Sequence, residues 1–166
     1  MIQSMMAVLL ALPLVAHAGG GMNGGVNGGM NNIKQQLQVD ANGGKVVVKL
    51  TLDNASGKPV YVPKAVYADK QIFRREFAIT DAATGAEVDY TGPMVKRGPF
   101  TKDDFIAVKP GHKISHAIDI TRSYDFKPRH TYKLSYTGGY LGDASKMEAL
   151  SAAVVPSVTF TFGPAR

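Results

Sequence analysis

No cysteine occurs in the 166 residues. Its absence excludes disulfides, thiolate metal sites, thiol catalysis and a lipid anchor on an N-terminal cysteine, so any ordered domain must be held by its core. Long apolar runs are also scarce. The one present, Met5 to Ala16, is followed by Ala16-His17-Ala18. It is shorter than the roughly 20 residues that cross a bilayer and contains Pro13. An apolar stretch before a small-x-small site predicts a secretory signal peptide over residues 1–18, although residues 1–5 carry no Lys or Arg. The expected location is therefore periplasmic or secreted, with no membrane span after cleavage.

Blocks of like charge are missing too. Lys and Arg number 19 against 13 Asp and Glu, a net charge of +6, but the basic residues are scattered, with Arg74-Arg75 and Lys96-Arg97 the densest pairs. Without exposed aromatics interleaved among them, this distribution speaks against nucleic acid and for an acidic protein partner. Catalytic signatures are likewise absent: no GxSxG elbow, no phosphate loop, no dinucleotide fingerprint and no DxDxDG calcium loop. Three histidines follow the leader, His112, His116 and His130. On a strand the first two would stand ~13 Å apart, too far to share one ion. Asp103-Asp104 reads as a pair of solvated turn acids. Neither a metal nor a cofactor is expected, and the chain is not expected to be an enzyme.

What is present is a rhythm of short β-type runs broken by turn clusters. Residues 19–32, GGGMNGGVNGGMNN, predict a flexible glycine- and asparagine-rich tether; its Met22 and Met30, with no His or Cys nearby, make a poor copper site. The folded part is expected over residues 33–166. Ile33, Leu37 and Val39 prepare a first strand. Val48, Leu50 and Leu52 alternate with Lys49, Thr51 and Asp53, and Asn54 to Pro59 forms a turn before Val60-Tyr61-Val62. Further strands are expected at Ile72–Thr80, Ala86–Tyr90, Phe105–Val108, His112–Ile120, Thr131–Tyr136 and Val158–Phe162. Gly57, Gly85 and Gly111 occupy turns expected to need positive φ. Between Gly138 and Pro156 lies an insertion whose Ser145-Lys146-Met147-Glu148 matches a capping box, predicting a short helix through about Ala152. The sum is an all-β antiparallel sandwich of about eight strands with one short helix in an insertion.

Five pieces in order, LTLDNASGKPVYV, FAITDAATGAEVDYTGPMVKR, DDFIAVKPG, IDITRSYDF and TYKLSY, span Leu50 to Tyr136. Together they resemble the Ig-like pro-domain of aspzincin-type zinc endopeptidases, the deuterolysin and peptidyl-Lys metalloendopeptidase group. The resemblance covers roughly half the chain and implies an Ig-like sandwich. Tyr132, or equally Tyr124, is placed like a tyrosine-corner residue. The chain lacks the HExxH pair with its catalytic Glu and the Gly-Thr-x-Asp segment of that family, and it ends at Arg166, where a catalytic domain would begin. It is therefore expected to act as a pro-domain-like module without the enzyme. The resemblance implies an inhibitor or chaperone of a zinc metallopeptidase, in a Gram-negative cell a periplasmic immunity protein against a peptidase toxin. The competing expectation is a structural or adhesive envelope module.

Two segments are candidates for the partner surface. The first is Tyr90 to Phe100, a loop stiffened by Pro93 and Pro99 that carries Met94, Lys96, Arg97 and Phe100, residue types enriched at protein interfaces. Its bland alternative is a long loop packed down by its own Met94 and Phe100. The second is the insertion, where Tyr140, Leu141 and Met147 either wedge into a partner's cleft or plug the end of the sandwich.

Overall fold

The computed structural model describes residues 32–147, 149–152 and 155–163. The leader and, apart from Asn32, the glycine-rich arm lie outside the described residues.

Ten strands are described: β1 (Ile33–Asp40), β2 (Val47–Asn54), β3 (Val60–Pro63), β4 (Phe77–Asp81), β5 (Phe105–Val108), β6 (His112–Asp119), β7 (Thr131–Tyr136), β8 (Gly139–Leu141), β9 (Leu150–Ala152) and β10 (Val158–Thr161). They form three antiparallel sheets, ordered β1-β2-β6, β10-β7-β4 and β5-β3-β8-β9. Together they make a sandwich-like all-β fold, and all three sheets contribute to its buried core. In β2 the period-2 alternation puts Val48, Leu50 and Leu52 inward. Cross-strand pairing sets Leu37 opposite Leu50 and Val48 opposite Ile118. The second sheet answers with Ile79 opposite Leu134 and Phe160 opposite Tyr132. These residues belong to one continuous buried cluster. At one end Phe126 packs edge-on against Tyr132 and Phe160, with ring centroids 5.2 and 5.8 Å apart.

Both candidate corner tyrosines are used, differently. The Tyr132 hydroxyl accepts the Lys127 amide at 2.7 Å, tying the start of β7 to backbone five residues upstream, as a tyrosine corner does. The Tyr124 hydroxyl instead clamps the edge of β4, accepting from Phe77 N at 3.1 Å and donating to Phe77 O at 2.8 Å. Asn54, fully buried at the end of β2, is a second junction. Its side-chain amide donates to Lys58 O (2.9 Å) and Val108 O (2.8 Å), while its oxygen accepts from Ser56 N (3.1 Å) and Ser56 Oγ (2.6 Å).

Several local expectations change. Instead of a helix, the insertion supplies the strand pair β8 and β9. Asp143 accepts from Ser145 N (2.9 Å) and Ser145 Oγ (2.7 Å), which makes a tight turn at the place where the capping box would have started a helix. A Cβ at Gly139 would collide with the Ser151 carbonyl, so the close approach of β9 depends on that glycine. The helical turn lies elsewhere, in α1 (Lys64–Tyr67), which buries Val66 and Tyr67. The strand expected from Ile72 starts only at Phe77, and Ala86–Tyr90 keeps only two isolated bridges, Thr80 to Glu87 and Tyr90 to Tyr124. Gly85 and Gly111 have φ of 74° and 72°, whereas Gly57 is not in the left-handed region.

Candidate functional site

The loop between Tyr90 and β5 runs beside the segment Ile72–Glu76 and encloses a groove of about 250 Å³. Pro63, Phe73, Glu76, Val95, Phe100 and Asp104 are among its lining residues. Three tethers hold the loop down. The Tyr90 hydroxyl donates to Pro93 O at 2.8 Å and lies 3.1 Å from Ile72 O. The Val95 amide donates to Phe73 O at 3.2 Å. Thr101 donates its amide (2.8 Å) and its hydroxyl (3.1 Å) to the Asp104 carboxylate, closing the 3-10 turn Lys102–Asp104. The Thr101 amide bond is the main reason that the Asp104 carboxyl sits below the usual carboxylate range.

Charge and aromatic contacts finish the walls. Arg74 donates to Glu76 at 2.6 Å, and its guanidinium lies 5.1 Å from the centroid of the Phe100 ring. Arg97 stands between Asp69 (3.9 Å) and Asp104 (3.4 Å). The described residues include four large exposed hydrophobic side chains, and three of them lie on this loop: Val95 (54% exposed) and Phe100 (41%), which line the groove, and Met94 (78%), which stands outside it. They adjoin the cations Lys96 and Arg97. Exposed apolar side chains beside cationic ones are suited to gripping an apolar, acidic surface.

The candidate residues thus divide. Met94, Lys96, Arg97 and Phe100 are all exposed on this one loop, Arg97 and Phe100 lining the groove and Met94 and Lys96 standing outside it. Tyr140 and Leu141 do not join them. They are 5% and 0% exposed, because β8 is an interior strand of the third sheet and Leu141 pairs with Tyr61. Both side chains are thus buried within the fold and not available at its surface, so the expectation that they wedge into a partner is corrected. Val95, and the far wall from Phe73 to Glu76, carried no signal as interface residues. Only the folding of Ile72–Glu76 alongside the loop makes them walls of one groove.

The histidines are separately engaged. His112 Nδ1 lies 2.9 Å from Pro110 O, His116 Nε2 2.9 Å from Asp69 O, and His130 Nδ1 2.8 Å from Asp81 Oδ2. Among the described residues no three His, Cys, Asp or Glu gather as metal ligands, and no helix is long and apolar enough to cross a membrane.

No protein-family profile matches the chain. Over 127 residues, 73% of its length, the chain is 28% identical to an extracellular protease of Aeromonas hydrophila, of which it covers 35%. The chain therefore spans about a third of that relative.

Proposed function

We propose that this chain is an exported, non-catalytic Ig-like protein that binds a secreted zinc metallopeptidase and inhibits it by occluding its cleft. The observation that carries this reading is the tethered loop, which leaves Met94, Val95 and Phe100 exposed beside Lys96 and Arg97 on a β scaffold. Its similarity to part of an extracellular protease supports a peptidase as the partner. The short all-β architecture is in keeping with the pro-domain resemblance of Leu50 to Tyr136. Inhibition of this kind needs shape and charge only. A loop ordered before binding loses little entropy on docking, so a larger share of its contact energy appears as affinity. Export follows from the leader, and in a Gram-negative cell the protein would act in the periplasm.

The test is calorimetric titration of the chain, leader removed, into the active extracellular protease of Aeromonas hydrophila, with peptide hydrolysis followed in parallel. Saturable heat and a matching loss of hydrolysis are expected. Replacing Met94, Lys96 and Arg97 together by Ala should weaken binding about thirtyfold or more, the scale of a hot spot of ~2 kcal/mol. Hydrolysis that continues undiminished, with no heat of binding, sinks the proposal.

A further inference from the structure

Six residues of the loop, Pro93 to Gly98, run without a turn or bend. Side chains of an extended segment point alternately to opposite sides. The structure sorts them accordingly: Val95 and Arg97 line the groove, while Met94 and Lys96 do not. The inward pair is occupied, Val95 through its amide on Phe73 O and Arg97 between Asp69 and Asp104. The outward pair is free. Met94 is 78% exposed, and Lys96 is exposed with no ion-pair partner among the described residues. Pro93 and Pro99 flank the segment and fix φ near both ends. The scaffold thus holds a short strand-like peptide at its surface, with a single uncommitted cation near the middle.

We infer that Pro93–Gly98 docks as an extended peptide in the substrate cleft of the partner peptidase, with Lys96 entering an acid-lined specificity pocket. This rests on the reading that the partner is a peptidase. A cleft that binds substrate in extended form accepts a preformed extended segment with little reorganisation. Charge complementarity chooses the residue. Arg97 already has two carboxylates, whereas Lys96 has none and gains most from a buried acidic partner. Arg97 is on this account a positioning residue that keeps the segment straight.

The experiment compares the wild-type chain with Lys96→Ala, Lys96→Arg and Lys102→Ala against the same Aeromonas hydrophila protease, by calorimetry and by inhibition of peptide hydrolysis. Acetylation of lysines, free and in the complex, is mapped by mass spectrometry. Lys102, in the neighbouring 3-10 turn, reports general charge attraction. Lys96→Ala should weaken binding tenfold or more and Lys96→Arg by less, with Lys102→Ala within about twofold; Lys96 should be protected in the complex. An unchanged unfolding midpoint in Lys96→Ala shows that the fold is intact. If the wild type binds but Lys96→Ala binds equally well and Lys96 stays reactive in the complex, the bait assignment is wrong while the inhibitor reading stands. If the wild type does not bind, both fall.

Discussion

The central sandwich and the loop face use apolar side chains in opposite ways. Ile79 and Leu134 face each other across β4 and β7 with no exposed surface; Met94 and Val95 are also aliphatic but stand more than half exposed, on backbone tethered by only a few hydrogen bonds. In the sheets, regular pairing removes both backbone and side chains from water, so each side chain contributes to stability through burial. On the loop, backbone is held so that side chains can be left outside, where they add almost nothing to folding. Stability and recognition are thus assigned to different residues, which makes the comparison testable.

The largest contrast is between Leu134→Ala and Met94→Ala. The first leaves a cavity in the middle of the cluster and should cost about 3–4 kcal/mol in urea unfolding, typical of buried Leu to Ala. The second should change stability by less than about 0.5 kcal/mol. A Met94 variant as destabilised as the Leu134 variant would mean that the loop is a structural plug.

Asn54 tests the junction between strand and turn. Ala there strands the buried Val108 carbonyl, while the Lys58 carbonyl of the exposed turn still accepts from the Ser56 hydroxyl at 2.9 Å, so a loss of about 1–3 kcal/mol is expected from unfolding midpoints. Retained stability would place the Val108 carbonyl in contact with solvent.

A smaller effect belongs to the hairpin end, at the last residue of β4. His130 beside Asp81, helped by the Thr84 and Ala83 amides and the Thr84 hydroxyl, lowers the Asp81 carboxyl to about 2. The unfolded carboxyl titrates near ~3.9. A depressed folded value contributes stability that is present above ~4 and lost as pH falls toward 2. Asp81→Asn should therefore flatten the urea midpoint against pH between about 5 and 2. A wild-type profile in the variant removes the role of this pair.

The regular strands were readable because alternation is a local property: Val48, Leu50 and Leu52 need only their own spacing to declare an inward face. The turn at Asp81 to Gly85 was readable for the same reason. Gln35 shows the limit. It occupies an inward position of β1 and donates to the Tyr67 hydroxyl at 2.8 Å. That partner is 32 residues away on a helical turn that no pattern announced. Burial raises the Tyr67 hydroxyl to about 12 although the Gln35 bond lowers it. The insertion failed for a related reason. Its capping-box spelling is a weak local preference, and pairing of Leu150 and Ser151 with Leu141 and Tyr140 overrides it. At the candidate site the loop, its prolines and its interface-type residues were legible. Which of them face outward was not.

Sequence by itself determined the all-β character, the inward faces of the main strands and the absence of the recognised catalytic motifs, because these depend on residue type and short spacing. Tertiary structure decided which tyrosine forms the corner, that Tyr140 and Leu141 are core, and that Lys96 is left free while Arg97 is held. Two of those outcomes depend on groups distant in the chain, Tyr61 for Leu141 and Asp69 for Arg97, which only folding brings together; the corner turns on a nearer group, the Lys127 amide, whose approach to Tyr132 is fixed by the path of the chain into β7.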